Sequence, residues 1–162
     1  MSIYHILLVE DDLLYAKTLR VQLQHDNFAV LQQVSSGEAA IAAVAAGNLD
    51  IVIMDIHLEG DMDGFSAAHE IRRLKPSLPI ICLTVKSEEE FINQAAHHQM
   101  DAYLVKPVSI DNLKSTVQLL ITRALLKKQE VAFQAYFRGL FENNPGIMLL
   151  IERQTLKIID AN

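Results

Sequence analysis

Four short apolar runs recur along the chain, and each stops abruptly at a polar residue. Ile6-Leu7-Leu8-Val9 ends at Glu10, Ile51-Val52-Ile53-Met54 at Asp55, Ile80-Ile81-Cys82-Leu83 at Thr84, and Ala102-Tyr103-Leu104-Val105 at Lys106. Continuous rather than alternating apolarity marks strands buried on both faces, as in parallel sheets. Phe28–Val34 reads as a further strand. Helical patterns fill the gaps. Leu13, Leu14, Leu19 and Leu23 carry helix-like spacing to about His25, and Ser35-Ser36-Gly37-Glu38 forms an N-cap region before the alanine-rich stretch Ala39–Ala46. Gly47-Asn48 closes that helix. Phe65–Leu74, with Ile71 and Leu74 on one face, stops at Lys75-Pro76. Ser87 caps a helix over Glu88–Gln99, and the longest helix begins near Ser109. Five strands alternating with five helices over short loops predict an α/β fold built on a doubly wound parallel sheet.

Composition narrows the function. The chain has 162 residues, enough for one domain plus part of another, and a net charge of −6 without a dense Lys/Arg block. Direct nucleic-acid binding is therefore not expected. No 18-residue apolar stretch and no signal peptide are visible, so no membrane association and a cytoplasmic location are expected. The single cysteine, Cys82, reads as a small core hydrophobe.

In open α/β sheets, ligands bind beyond the carboxyl ends of the strands. That edge collects Glu10, Asp11 and Asp12 from the first strand, Asp55 from the third, Thr84 from the fourth and Lys106-Pro107 from the fifth. Each part has a plain alternative: an acidic run can simply start a helix, a strand-end Asp can be a cap, and Lys-Pro is a common turn. Together they make an oxygen-rich site suited to Mg²⁺, with a lysine and a hydroxyl beside a carboxylate nucleophile. These are the parts needed to transfer a phosphoryl group onto an aspartate.

Residues 3–122 resemble the receiver domain of two-component response regulators. Leu7-Leu8-Val9-Glu10-Asp11-Asp12 is similar to its acidic-pocket motif, Asp55 to the phosphorylated aspartate, and Met62-Asp63-Gly64 to the turn behind it. Thr84 resembles the switch hydroxyl, Tyr103 the switch aromatic, and Lys106-Pro107 the lysine with its usually cis prolyl bond. The resemblance implies a flavodoxin-like five-stranded sheet in the order 2-1-3-4-5. It implies Mg²⁺ held by the Asp11 and Asp55 side chains and the His57 backbone carbonyl, with Glu10 behind them and Asp12 mainly starting the first helix. It further implies Mg²⁺-dependent self-phosphorylation and self-dephosphorylation on Asp55, with a histidine kinase or phosphotransfer protein as partner.

Three features depart from the usual family pattern. The Asp55–Gly64 segment is one residue longer, with Glu59-Gly60 in place of a Met-Pro pair, and Gly60 is expected to absorb the difference. Val85 stands where Ala or Gly is usual; it is either a tolerated substitution or a side chain that narrows the approach to Asp55. His57 and Lys86 flank the acceptor and are expected to set the phosphoryl lifetime. His97-His98 reads as a solvated helix face rather than a metal site.

Beyond the receiver, 123–136 reads as a helical linker that could pair as a coiled coil and form a homodimer. Leu113, Val117, Leu120 and Ala124 follow alternating spacing, and Val131 extends it. Residues 137–162 are similar to the opening of a PAS domain, with an Asn-Pro turn and two strands ending in Asp-Ala-Asn. On that reading the receiver relays a conformational change to a C-terminal sensory or output module, and the chain is a fragment of a longer protein or the product of a truncated gene. Two rival functions are a phosphorylation-independent interaction domain and an aspartyl-intermediate phosphatase. The latter lacks its expected D-x-D after the first strand.

Overall fold

A computed structural model describes residues 3–24, 27–85 and 100–161. The chain divides into two compact units, Met1–Ala124 and Leu125–Asn162. The first unit is built on β1 (Tyr4–Val9), β2 (Phe28–Val34), β3 (Ile51–Asp55), β4 (Ile80–Thr84) and β5 (Ala102–Val105), in the order β2-β1-β3-β4-β5. Every pairing in this sheet is parallel. Helices α1 (Leu13–Leu23), α2 (Gly37–Ala46) and α3 (Gly64–Leu74) intervene, and α4 (Ile110–Glu142) follows β5. The helix expected over Glu88–Gln99 lies outside the described residues.

The apolar runs are continuous because their two parities fill two different cores. Ile6, Leu8, Ile51, Ile53, Ile81 and Leu83 meet Leu19 and Leu23 of α1 and Leu113, Val117 and Leu120 of α4. Leu7, Val9, Val52, Met54, Ile80 and Cys82 meet Ala40 and Val44 of α2 and Ala67 and Ile71 of α3. Successive strand residues point to opposite faces, so both layers are buried without any polar alternation. Each fully buried Leu or Ile is worth about 1.5–3 kcal/mol over exposure, which makes this central layer the main source of stability.

Small residues let the second face pack closely. A Cβ on Gly37 would lie 2.9 Å from Met62 Cγ and 3.0 Å from Ala67 Cβ, so α2 and α3 approach through side chains no larger than alanine at this point. The N-caps fall where side-chain oxygens allow: Ser36 accepts from Ala39 N–H at 3.3 Å, and Asp63 from Ser66 N–H at 2.8 Å. One sequence expectation needs correction: Leu74 is half-exposed rather than sharing the buried face of Ile71. In α1, whose span agrees with the helix-like spacing, Leu13 and Leu14 face solvent while Ala16, Leu19 and Leu23 form the core stripe. In both cases the leucine lies off the narrow arc that meets the sheet.

In the second unit, β6 (Leu149–Ile151) and β7 (Ile158–Ala161) pair as an antiparallel hairpin. The Phe137 and Phe141 rings stack at 6.2 Å near the end of α4, and Asn144 accepts from Gly146 N–H at 2.8 Å in the turn that follows. The helix runs unbroken to Glu142. Val131 is exposed. No helix among the described residues is long and apolar enough to cross a membrane.

Candidate functional site

The two-residue period of the strands decides what faces what at their carboxyl ends. Glu10 continues Ile6 and Leu8, Asp55 continues Ile51 and Ile53, and Lys106 continues Ala102 and Leu104, all on the side covered by α1 and α4. Thr84 continues Ile80 and Cys82, on the α2–α3 side, where Tyr103 also packs. The parallel registers bring these ends level: Val9 pairs with Met54, Asp55 with Leu83, and Thr84 with Val105.

At the centre of the edge, Lys106 Nζ lies 2.6 Å from Glu10 Oε2 and 2.6 Å from Asp55 Oδ2. Glu10 is 1% exposed and Asp55 6%. Two carboxylates this dry demand compensation, and the ammonium provides it. Burial would by itself lower the Lys106 pKa, but hydrogen bonds and charge from Asp55 and Glu10 outweigh it, so the ammonium is held charged. Burial pushes the Glu10 carboxyl up, with the Asp55 charge adding and Lys106 opposing. The Nζ also stands 4.6 Å from the centroid of the Tyr15 ring, a contact that nothing in the sequence pattern had marked.

Carboxylate oxygens of Glu10, Asp11 and Asp55 all lie within 4.8 Å of one another. Three hard oxygen donors face one ammonium, and no soft ligand joins them among the described residues. That donor set fits Mg²⁺, which takes one or two carboxylates and keeps its waters. The acidic run is nevertheless divided in its labour. Asp12 is turned away to cap α1, accepting from Leu14 N–H at 2.9 Å and Tyr15 N–H at 3.0 Å. Asp11 is partly exposed beside it and accepts from Asp12 N–H at 3.1 Å.

The turn behind Asp55 explains the Met62-Asp63-Gly64 sequence residue by residue. Met62 packs against Gly37, Asp63 caps α3, and Gly64 donates its N–H to the Ile56 carbonyl at 2.9 Å. A Cβ on Gly64 would sit 2.1 Å from the Asp55 carbonyl oxygen, so the backbone under the aspartate can close only on glycine. Gly60 takes φ +112°, a conformation that side chains avoid, within the segment expected to absorb an extra residue. His57 is exposed, and its N–H donates to Asp55 Oδ1 at 3.1 Å.

Thr84 is buried, and its carbonyl accepts from Lys106 N–H at 2.6 Å. Tyr103 is partly buried, and burial first of all pushes its phenol up to about 12. The Lys106–Pro107 bond is cis. Val85 is 63% exposed, and Lys86 and His97-His98 lie outside the described residues. Cys82 is buried in the core, where desolvation raises its thiol to about 12 and leaves it inert at neutral pH.

Comparison with known proteins agrees with this geometry. The profile of the response regulator receiver domain matches residues 6–118. The transcriptional regulatory protein ResD of Bacillus subtilis is 34% identical over 119 residues, covering 74% of this chain and 48% of ResD. PdtaR of Mycobacterium tuberculosis is 31% identical over 118 residues, covering 73% of this chain and 57% of PdtaR. The chain thus spans about half the length of these curated relatives. Among solved structures, the signal receiver domain of a modulated diguanylate cyclase from Desulfovibrio desulfuricans G20 matches with a TM-score of 0.70 at 32% identity, covering 78% of this chain and 99% of that one. The receiver domain of the sensor histidine kinase PA1611 from Pseudomonas aeruginosa, solved with a magnesium ion coordinated in its active-site cleft, matches with a TM-score of 0.68 at 28% identity. It covers 75% of this chain and 99% of that one.

Proposed function

The chain belongs to the response regulator receiver domain family, and from that premise we propose that Asp55 accepts a phosphoryl group from the phosphohistidine of a histidine kinase or phosphotransfer protein. One observation carries the reading: a buried carboxylate and a buried glutamate share one ammonium at the carboxyl edge, with a third acid beside them. An Asp55 oxygen forms the new bond to phosphorus as the bond to the donor nitrogen breaks. Lys106 neutralises charge that builds on the transferring group, and the N–H of His57 orients the attacking carboxylate. The Asp11 and Asp55 side chains and the His57 carbonyl would hold Mg²⁺, with Glu10 behind them. Bound there, the ion adds positive charge against the phosphoryl oxygens.

Thr84 and Tyr103 act as the switch. The Thr84 hydroxyl hydrogen-bonds the new phosphoryl group, and Tyr103 repacks in response. His57, Val85 and Lys86 set the rates of gain and loss. Residues 1–122 form the receiver, 123–136 a linker helix through which two copies pair, and 137–162 a segment similar to the start of a PAS domain that carries the change onward. The exposed apolar side chains Leu126, Phe133 and Leu140 on α4 support pairing, and the β6–β7 hairpin supports the PAS-like assignment. A cytoplasmic location follows from the kinase partnership.

Acetyl phosphate with Mg²⁺ tests the reading. Intact mass should rise by one phosphoryl group, the label should map to Asp55, and Asp55→Asn should bring it to background. A folded wild-type chain that takes no label would leave a phosphorylation-independent interaction domain as the function.

A further inference from the structure

We propose that Tyr15 is a positioning residue for phosphoryl transfer, its ring face holding the Lys106 ammonium over Asp55 while the carboxylate becomes an acyl phosphate. The inference rests on the phosphoacceptor reading above and adds a residue to it. Lys106 Nζ has two hydrogen-bonded acids, Glu10 Oε2 and Asp55 Oδ2, and the Tyr15 ring centroid 4.6 Å away. An ammonium carries three donors, so these two bonds leave one for an incoming oxygen. The ring comes from the first turn of α1, which Asp12 fixes by accepting from Tyr15 N–H itself.

The chemistry gives the ring its purpose. During transfer from acetyl phosphate, an Asp55 oxygen gains a bond to phosphorus as the phosphorus–acetate oxygen bond breaks and acetate leaves. Negative charge moves off the Asp55 carboxylate and out to the phosphoryl oxygens, so the 2.6 Å contact that anchored Lys106 changes character. Attraction between a cation and an aromatic face does not depend on hydrogen-bond direction, and it is unaltered by the reaction. Tyr15 therefore keeps the ammonium seated while its oxygen partner is exchanged. The phenol contributes little: Tyr15 Oη is buried and has no hydrogen-bond partner among the described residues. Phenylalanine should serve as well.

Initial rates of acetyl-phosphate labelling with Mg²⁺, read by intact mass on the full chain, test this. Tyr15→Phe should stay within about twofold of wild type, and Tyr15→Leu should fall about three- to tenfold. Graded fluorination of a phenylalanine at position 15 should lower the rate stepwise, since it drains the ring face while keeping its shape. In a Lys106→Met background, Tyr15→Leu should cause no further loss. Wild-type rates in Tyr15→Leu, an equal loss in the Lys106→Met background, or indifference to fluorination would each overturn the proposal. Proton NMR supplies an independent readout. The Lys106 side-chain methylene next to Nζ should be shifted upfield by the ring in wild type and Tyr15→Phe, and not in Tyr15→Leu. If wild type takes no label, the phosphoacceptor reading fails on its own account; a missing upfield shift in wild type overturns the seating of Lys106 by Tyr15.

Discussion

At the carboxyl ends of the strands, Lys106 stands between two carboxylates with a third nearby. At the amino ends, the described partners of Arg72 of α3 include one carboxylate and two backbone carbonyls. Its Nη2 is 2.6 Å from Asp101 Oδ2, and its Nη1 reaches the carbonyls of Pro76 at 2.8 Å and Leu78 at 3.0 Å. Asp101 Oδ2 also accepts from Ile80 N–H at 2.8 Å, tying the starts of β4 and β5 to the end of α3. Both clusters are cation-centred, yet the Lys106 cluster is buried while Asp101 is exposed, and they are built for different ends. A planar guanidinium spreads several donors over fixed acceptors and balances one acid. A compact ammonium facing a surplus of carboxylates leaves negative charge and a donor available. The amino edge is closed; the carboxyl edge is chemically unfinished, which is what a phosphoryl-accepting site requires.

The carboxyl edge rests on the backbone packed beneath it as well as on its own charges. Gly64 is the sharpest place to test this. With a Cβ 2.1 Å from the Asp55 carbonyl oxygen and 2.8 Å from Ile56 Cα, Gly64→Ala should cost about 3 kcal/mol or more in denaturant unfolding. A loss below about 1 kcal/mol would mean the turn can relax, and the aspartate is less firmly founded than the contacts indicate.

Arg72→Leu comes next. It leaves the Ile80 N–H as the partner of Asp101 among the described residues and strips the Pro76 and Leu78 carbonyls of a donor. We expect about 2 kcal/mol of lost stability, most of it from the two carbonyls left without a donor. Labelling of Asp55 in the folded fraction should stay within about twofold of wild type. A collapse of labelling with the fold intact would break the division between a structural end and a chemical end.

The amino-edge clasp also shows where sequence reading runs out. Arg72 and Asp101 are 29 residues apart and carry no spacing signal of their own. Strands and helices were legible because buried parallel strands are continuous apolar runs and because Ser36, Asp63 and Gly47 act as caps where capping chemistry predicts them. The same continuity hides the two-residue period. Nothing in Ile6–Val9 tells which parity faces α1, so the direct pairing of Lys106 with buried Glu10 could not be read from composition or spacing. The site acids, Thr84 and Lys106 were legible because each interrupts an apolar run at a strand end. Tyr15 was not, because one aromatic residue in a helical pattern looks like core until its ring is found beside a cation.

Surplus negative charge at the carboxyl edge should draw in a divalent cation. Mg²⁺ should raise the stability of this chain, by about 2.7 kcal/mol at a hundredfold excess over its dissociation constant. Calcium-free thermal melts at rising Mg²⁺ measure it. Arg72→Leu should respond as wild type does, since Arg72 is not among the groups that converge on Glu10, Asp11 and Asp55. A double Asp11→Ala/Asp55→Asn change should abolish the response, because only Glu10 then remains of the three converging acids. A full response in the double variant would place the ion elsewhere and remove the chemical half of the comparison.

The smallest expected effect separates two neighbours within one acidic run. Asp12 has the same functional group as Asp11 and adjoins it, but its Oδ1 is committed to the Leu14 and Tyr15 N–H groups at the start of α1. Asp12→Ala should therefore cost about 1 kcal/mol of stability, and Asp12→Ser should recover most of it. Neither change should alter the Mg²⁺ dissociation constant by more than about twofold, whereas Asp11→Ala should weaken it strongly. Calorimetric titration of the three variants decides the matter. Equal weakening by Asp12→Ala and Asp11→Ala would mean that the acids act as one diffuse charge. Retained Mg²⁺ affinity with a small drop in labelling rate would instead follow from loosening the turn that presents Tyr15 to Lys106, which ties the cap to the chemistry through the helix it begins.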